Sequence, residues 1–213
     1  MIVYALYWTC AGVLFYTFIG YGLLIALLAR RKTVPCAASG APLPPMTVII
    51  PAYNEAAVLE QKIRNTLGQQ YPGLEVFVVT DGSTDGSERI AGQFAGIRCF
   101  HQEERRGKAA AINLAMEEVT TPLAAITDAN SVLSPGSLQL LASHFSDTAI
   151  GAMSGEKKVK EEGEGLYWKY ESFLKRNDAR LYSIVGAAGE LLALKTSLFT
   201  PLEPDTVLDD FVL

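Results

Sequence analysis

Short apolar runs alternate with amphipathic stretches from Met46 onward, and this alternation limits the possible fold more than any other feature of the sequence. Met46–Ala52 is rich in β-branched residues and predicts a buried strand, and an amphipathic helix pattern follows it. Further strands are predicted at residues 75–80, 97–101 and 123–127, and an Ala-, Leu- and Met-rich helix at 107–119. Strands that alternate with helices predict an α/β fold, with a mostly parallel sheet covered by helices on both faces.

Two short motifs predict where further helices begin. Asp85 and Glu88 are spaced like a capping box, in which two side chains bond to backbone N–H groups at the start of a helix. Ser134 followed by Pro135 is typical of an N-cap and the first helical position.

The N-terminal stretch carries no charged side chain before Arg30, and Arg31 and Lys32 follow directly. A helix needs about 20 apolar residues to cross the hydrocarbon layer, so this stretch predicts a transmembrane helix. A cleaved signal peptide is the alternative, but such a peptide has a basic start and a shorter apolar run. The basic cluster after the span predicts that the following residues face the cytoplasm, at the cell (inner) membrane.

The predicted helix divides the chain of 213 residues into three parts. Residues 1–29 form the span, and residues 30–45 form a basic, proline-rich linker with no core of its own. Residues 46–213 form one globular domain, within the usual size of about 100–200 residues.

The charge balance bears on the kind of ligand. The net charge is −5, from 18 basic and 23 acidic residues. This balance argues against a nucleic-acid partner, since such proteins present a basic surface. It does not exclude a small anionic ligand, because one local lysine or arginine is enough to hold a phosphate.

Polar side chains cluster directly after three of the predicted strands. The clusters are residues 51–55 (PAYNE), residues 80–83 (TDGS) and residues 128–130 (DAN). In open sheets of this kind ligands bind beyond the carboxyl ends of the strands. The three clusters therefore predict a ligand site at that edge of the sheet.

Asp81 is the candidate for contact with a nucleoside. It follows a buried strand, and Gly82 permits a tight turn and a close approach of the ligand. Its carboxylate is able to accept hydrogen bonds from a base N–H or a ribose hydroxyl. The alternative is that Asp81, Ser83 and Asp85 only cap a helix.

Asp128 and Asn130 are the candidate metal ligands. They place two oxygen ligands two residues apart at a strand end, and Mg²⁺ or Mn²⁺ takes oxygen ligands that it often shares with phosphates. A metal that bridges a diphosphate neutralises charge on the leaving group. The alternative is that the segment forms an Asx-turn.

Two other motifs carry charged candidates. Lys108 stands near a helix start and is suited to a phosphate as a point cation. Asp209 and Asp210 follow a proline-containing loop, and a positioned carboxylate is able to take the proton of an acceptor hydroxyl. The alternative for this acidic pair is a first helical turn stabilised by the helix dipole.

Six segments taken together resemble glycosyltransferase family 2, especially the membrane-embedded synthases of cellulose, hyaluronan and poly-N-acetylglucosamine. In chain order they are TVIIPAYNE (47–55), VVTDGSTDG (78–86), RGKAAAINLAM (106–116), TDAN (127–130), VGAAGELLALKTSLF (185–199) and LDDF (208–211). The resemblance covers roughly residues 46–213. Each segment is common by itself, and their order and spacing carry the likeness.

The resemblance implies a GT-A fold and inverting transfer of a hexosyl group from a nucleoside-diphosphate sugar, with UDP as the first choice, to a growing glycan or lipid-linked acceptor. It implies donor-binding roles for Pro51, Tyr53, Asn54, Glu55, Asp81, Ser83, Lys108, Asn113 and Asp128. It implies that Mg²⁺ or Mn²⁺ is held by Asp128 and Asn130. On the acceptor side it implies roles for Gly186, Gly189 and Asp209, with Asp210 as the catalytic base. It also allows other membrane subunits as partners.

The sequence departs from the family pattern in three places. Thr80 stands where the family has a second acid before Asp81, and Asn130 replaces the second acid of the DxD motif. The downstream Gln/Arg/Trp motif and later membrane helices of the family are not found in the sequence, which ends at Leu213. We therefore expect an incomplete domain whose isolated chain transfers sugar poorly.

Two other functions remain as alternatives to an active transferase. The first is a non-catalytic, membrane-tethered fragment or split subunit that binds a nucleotide sugar. The second is another nucleotide-binding enzyme such as a nucleotidyltransferase. It ranks last, because it predicts a glycine-rich phosphate loop after the first strand, where this chain has PAYNE.

Overall fold

The structure, a computed structural model, describes residues 1–32, 42–156, 165–184, 186–187, 189–203 and 206. The helices in chain order are α1 (Ile2–Phe15), α2 (Tyr21–Ala29), α3 (Ala56–Leu67), α4 (Ser87–Ala91), α5 (Lys108–Met116), α6 (Ser137–His144) and α7 (Gly165–Leu181). The strands are β1 (Met46–Ala52), β2 (Leu74–Asp81), β3 (Arg98–Gln102), β4 (Leu123–Ile126), β5 (Ala152–Ser154) and β6 (Leu192–Lys195). A π-helical turn, Tyr16–Gly20, joins α1 to α2, and a 3₁₀ turn, Thr196–Leu198, follows β6.

The chain divides into two compact units. One comprises Met1–Val34 and Lys157–Val185, and the other comprises Pro35–Glu156 and Gly186–Leu213. The sequence analysis did not separate α7 from the globular part, whereas the structure groups this helix with the N-terminal helix. The domain limits inferred from the sequence remain a prediction.

The N-terminal unit contains one long apolar helix, Ile2–Ala29, with a mean hydropathy of 2.0. In the part of the chain that the structure describes, this is the one helix long and apolar enough to cross a membrane. The helix meets this criterion by its length and its composition, and signal sequences share both properties.

Helix α7 packs against α2 through small and polar residues. A side chain at Gly22 would contact the Tyr170 hydroxyl, at 3.0 Å from an added Cβ, so the glycine permits the close approach of the two helices. The Tyr170 hydroxyl donates a hydrogen bond to the Phe18 carbonyl at 2.7 Å, and the Tyr21 hydroxyl donates one to Asp178 at 2.6 Å.

The second unit is built on a six-stranded sheet in the order β3-β2-β1-β4-β6-β5. Strands β3, β2, β1 and β4 are parallel neighbours, whereas β6 runs antiparallel to both β4 and β5. The predicted mostly parallel sheet is thereby confirmed. After β1 the chain moves to β2 and β3 on one side and later returns to β4 on the other side. The point between β1 and β4 is therefore the topological switch point, where such sheets bind ligands.

Alternate residues of the parallel strands face two separate cores, as period-two side-chain geometry requires. One core contains Val48 and Ile50 of β1 together with residues of α3 and α6, such as Ile63 and Leu138. On the other face, Ile49 of β1 packs with Phe77, Ile126 and α5. Helices cover both faces of the sheet, and the inner strands β1 and β4 are almost wholly buried, which explains why these two strands read as continuous apolar runs.

The observed element limits differ from the sequence-based ones by one to three residues at several ends, and one predicted helix start is wrong. Helix α6 begins at Ser137 after Gly136, which has φ +76°, so the prediction of an N-cap at Ser134 with Pro135 in the first turn is wrong. The Ser137 N–H instead bonds to the Ser134 carbonyl at 3.1 Å, which closes a turn before the helix. Glycine is suited to this positive φ because it has no Cβ.

Candidate active site

The three polar clusters meet at one edge of the sheet, as predicted. The last residue pair between β1 and β2 is Ala52 with Thr80. The last pair between β1 and β4 is Ile49 with Ile126. Because all three strands are parallel, their carboxyl ends lie at the same edge, on both sides of the switch point.

Asn54 and Ser83 join the loops after β1 and β2. The Asn54 N–H donates to Ser83 Oγ at 3.1 Å, and the Thr84 N–H donates to Asn54 Oδ1 at 2.9 Å. Asn54 has φ +52°, a left-handed conformation that asparagine tolerates better than most residues. The two predicted donor-binding side chains therefore hold the rim of the site.

Asp85 joins the same loops through N–H groups at the starts of α4 and α3, although the N-cap residue of α4 is Gly86. Its Oδ1 accepts from the Ser87 N–H at 3.0 Å and the Ser87 hydroxyl at 2.6 Å, at the start of α4. Its Oδ2 accepts from the Ala56 N–H at 2.8 Å, at the start of α3. These bonds, the Ser87 hydroxyl first among them, lower the pKa of the Asp85 carboxyl. Glu88 does not complete the predicted capping box, since its carboxylate lies 3.6 Å from His101 Nε2.

Asp81 is only 3% exposed and holds the loop that leads into α5. Its Oδ1 accepts from the Arg106 N–H and its Oδ2 from the Gly107 N–H, both at 2.7 Å. Both donors lie before the first residue of α5, so these bonds hold the loop that precedes the helix and do not cap its first turn. A carboxylate oxygen has a further lone pair, so these bonds leave acceptor capacity for a ligand. The contact with a nucleoside stays a prediction.

Gly82 lets the loop before α5 lie directly against the end of β2. A Cβ on Gly82 would lie 2.5 Å from the Arg105 backbone nitrogen, and the residue has φ +64°. The Arg105 guanidinium in turn lies 3.9 Å from the centre of the Tyr53 ring, a cation–π contact. Tyr53 is 40% exposed, so its ring forms part of the site surface.

The loop after β4 presents the Asp128 carboxylate to Lys108 at 2.9 Å, with each side chain about one-third exposed. The Asp128 carbonyl, not its side chain, accepts from the Ser131 N–H at 3.3 Å and the Ser131 hydroxyl at 2.9 Å. The Asx-turn alternative is therefore wrong for Asp128, whose carboxylate points to a cation instead. Ala129 is buried and Asn130 is exposed.

The oxygen groups at this loop are of the kind that binds a metal ion shared with a ligand. Among the residues that the structure describes, no group of three or more His, Cys, Asp and Glu side chains is placed to hold an ion. Asp128 and Asn130 offer one carboxylate and one amide oxygen. Mg²⁺ is commonly bound in this way, by one or two carboxylates with the remaining ligands from water and substrate phosphates.

Lys62 is a site-proximal residue that the sequence analysis missed. It comes from α3, is 2% exposed, and reaches the loop after β4. Its Nζ donates to Thr127 Oγ1 at 2.7 Å, to the Ser131 carbonyl at 3.0 Å and to Ser131 Oγ at 2.9 Å. Burial lowers the pKa of Lys62 to about 8, and the nearby Asp128 charge opposes that shift. The ammonium form therefore predominates at pH 7.

The sequence did contain a signal for Lys62. It follows Leu59 by three residues and precedes Thr66 by four, so it lies on the stripe of α3 that faces the core. A lysine on such a stripe is rarely buried without partners. The partners, however, lie more than 60 residues away, beyond the reach of local patterns.

The remaining predicted residues are distributed as follows. Asn113 uses both ends of its amide on Leu202, donating to the carbonyl at 2.8 Å and accepting from the N–H at 2.9 Å. Pro51 lies within β1, and the Glu55 N–H donates to Ser87 Oγ at 3.0 Å. Gly186 has φ +74°, and Gly189 is half-buried. Asp209 and Asp210 lie outside the described residues. The proposed functional roles of all these residues stay predictions.

Comparisons with known proteins agree with this geometry. A family model described as glycosyl transferase family 2 matches residues 47–200. The glycosyltransferase GlyG of Streptococcus pneumoniae is 26% identical over 129 residues, which cover 59% of this chain and 43% of that protein. The glycosyltransferase AglE of Haloferax volcanii is 30% identical over 138 residues, covering 62% and 45% respectively. The chain thus spans less than half the length of these relatives.

A solved structure resembles nearly the whole chain. The mannosyltransferase PcManGT from Pyrobaculum calidifontis, in complex with GDP-Man and Mn²⁺, has a TM-score of 0.78 and 29% sequence identity. The likeness covers 94% of this chain and 60% of that one. Together with the strand order, it confirms the predicted GT-A fold.

Proposed function

Because this chain belongs to glycosyl transferase family 2, we propose that it binds a nucleoside-diphosphate sugar at the edge formed by β1, β2 and β4. The sugar is transferred with inversion to a hydroxyl of a growing glycan or lipid-linked acceptor. The observation that carries this proposal is the Lys108–Asp128 pair at the switch point, beside the joined loops after β1 and β2.

The pair supplies both charges that a metal-bound diphosphate requires. Lys108 is a point cation for phosphate oxygens, and Asp128 is an oxygen ligand for Mg²⁺ or Mn²⁺, with Asn130 beside it. When bound, the metal neutralises charge on the diphosphate leaving group. With donor and metal bound, Lys108 would pair with phosphate and Asp128 with the metal, in place of the 2.9 Å ion pair between them.

In this proposal the nucleoside binds next to Asp81 and Tyr53. Tyr53 offers an exposed aromatic face at the site, and Asp81 offers acceptor lone pairs. UDP is the donor nucleotide that the family resemblance favours. The mannosyltransferase with 29% identity was solved with GDP-Man, so GDP is the competing choice.

Asp210 is proposed as the general base. Its carboxylate takes the acceptor hydroxyl proton while the acceptor oxygen attacks the anomeric carbon and the nucleoside diphosphate leaves. Asp209, Gly186 and Gly189 are assigned to the acceptor side.

A non-catalytic nucleotide-sugar-binding subunit is the second candidate. The observation in its favour is that Thr80 and Asn130 replace two acids of the family pattern. Asn130 in place of the second acid lowers the charge available to the metal by one, which weakens metal binding. Both candidates predict donor binding, and only the first predicts turnover.

Titration calorimetry with UDP and GDP, in Mn²⁺ and in chelator, tests the donor site. We expect Mn²⁺ to strengthen binding of one nucleotide. We expect Asp128→Asn to lower the nucleotide affinity gained from Mn²⁺ by at least about tenfold, which corresponds to about 1.4 kcal/mol of binding free energy. Glu117→Gln is the matched control, since it removes an exposed carboxylate after the other end of α5. Equal affinity with and without chelator would count against the metal site.

We propose further that residues 1–29 anchor the protein in the cell (inner) membrane with the globular part in the cytoplasm. The uncharged helix followed by three basic residues supports this orientation. Added protease should digest the globular part in inside-out membrane vesicles and leave it intact in right-side-out vesicles. The opposite pattern of protection contradicts the orientation, and release from the membrane by carbonate contradicts the anchor.

A further inference from the structure

Lys62 joins α3 to the loop after β4, two segments that the chain brings together only by folding. Its ammonium uses its three N–H donors on Thr127 Oγ1, the Ser131 carbonyl and Ser131 Oγ, all within 3.0 Å. These two residues flank the turn that carries Asp128 and Asn130. The Thr127 hydroxyl in turn donates to the Glu190 carbonyl at 2.7 Å, and Ser131 Oγ lies 3.3 Å from the same atom.

We propose that Lys62 is a positioning residue, which fixes the Asp128–Asn130 turn for the metal-bound diphosphate and ties it to the segment that follows Gly189. This inference rests on the proposed function of the site. Lys62 does not itself contact the ligand, because its donors already bond to protein atoms. It acts through Thr127 and Ser131, on both sides of the turn.

The energetics of burial favour this role over a purely structural one. A buried cation is costly to desolvate, and its removal alone leaves the acceptors on Thr127 and Ser131 without this donor. A core that needed only volume at this place would be served by methionine. Retained polar groups of this kind orient the groups that bind a metal, and their loss typically weakens metal binding by about 10–100-fold.

The position of Glu190 extends the effect to a second segment. Glu190 directly follows Gly189, which is assigned to the acceptor side. Its carbonyl accepts a hydrogen bond from the hydroxyl of Thr127, the residue before Asp128. One hydrogen-bond network thus holds the donor-side turn and the start of the acceptor-side segment in a fixed position relative to each other.

Lys62→Met tests the proposal, because methionine keeps an unbranched apolar chain and removes all three donors. Asn65→Ala is the matched control. Asn65 lies one turn along α3 and also holds the chain after β4, through two hydrogen bonds of 2.9 and 2.8 Å to the Leu133 backbone. The control therefore removes a comparable tie between the same two elements, but beyond the metal turn.

The first measurement is binding of Mn²⁺ with UDP or GDP, by calorimetry and by the Mn²⁺ electron paramagnetic resonance spectrum. We expect Lys62→Met to lower the affinity gained from Mn²⁺ by about 10–100-fold, with an altered spectrum, while nucleotide affinity in chelator changes little. The melting temperature should fall, because three hydrogen bonds are lost. Asn65→Ala should lower the melting temperature and leave the gain from Mn²⁺ unchanged. An unchanged gain in folded Lys62→Met overturns the proposal.

The second measurement is hydrogen exchange without ligand, which separates this inference from the proposed function. In Lys62→Met the amides of residues 127–131 and 189–191 should exchange faster, whereas in Asn65→Ala the increase should centre on residue 133. If the unsubstituted protein binds neither nucleotide with Mn²⁺, the proposed function fails. Exchange then still decides whether Lys62 holds the turn, and unchanged exchange overturns that role.

Discussion

Asp210→Asn is expected to reduce sugar transfer by about 10²–10⁴-fold, the usual contribution of a general base. Asparagine is nearly isosteric with aspartate, but it is unable to take the proton of the acceptor hydroxyl. The donor site is built from the loops after β1, β2 and β4, so nucleotide binding with Mn²⁺ should remain within about twofold of the unsubstituted protein.

The measurement is turnover of UDP- and GDP-sugars by the full-length protein in membranes, with nucleotide affinity determined on the same samples. Asp209→Asn is the control, because it removes a neighbouring carboxylate that is assigned only to the acceptor side. It should raise KM for the acceptor more than it lowers kcat. Turnover retained in Asp210→Asn would refute the assignment of the base, and absence of turnover in every sample favours the non-catalytic alternative.

Gly82→Ala is expected to destabilise the second unit by about 2–5 kcal/mol. A left-handed conformation costs a non-glycine residue about 1–2 kcal/mol, and overpacking adds about 1–3 kcal/mol. The added Cβ would lie 2.5 Å from the Arg105 nitrogen and 2.9 Å from its Cα, and both are backbone atoms that a side-chain rotation does not move. The loop that Asp81 holds must therefore shift, which should also weaken nucleotide binding.

Gly136→Ala separates the two causes of this loss. Gly136 has φ +76°, close to the +64° of Gly82, but an added Cβ there meets no atom within 4 Å. The melting temperature of Gly136→Ala should therefore fall only by the cost of the left-handed backbone conformation. The conversion is about 2–4 °C per kcal/mol for a chain of this size. Thermal unfolding followed by circular dichroism measures both variants. Equal shifts for the two would contradict the backbone overlap at Gly82.

The sequence by itself determined the architecture of the second unit and the edge of the sheet at which its polar clusters meet. Strand β1 was predicted with its observed limits, because buried parallel strands read as continuous apolar runs. The positions of Asp81 and Asp128 at strand ends followed from the same patterns, since parallel strands bring their carboxyl ends to one edge. Patterns of this kind are local, and the repeated alternation of strand and helix leaves few topologies to choose from.

Only the tertiary structure decided how the polar side chains at this edge are used. Asp81 holds the N–H groups of Arg106 and Gly107, Asn113 holds Leu202, and Lys62 holds Thr127 and Ser131. The same residue types are able to cap a helix, bind a ligand or support a loop, and the sequence around each does not distinguish these uses. Their partners lie 25 to 89 residues away. Such pairs are set by strand order and by the packing of α3 and α5 on the sheet, because a buried polar group must find its partners wherever the fold places them.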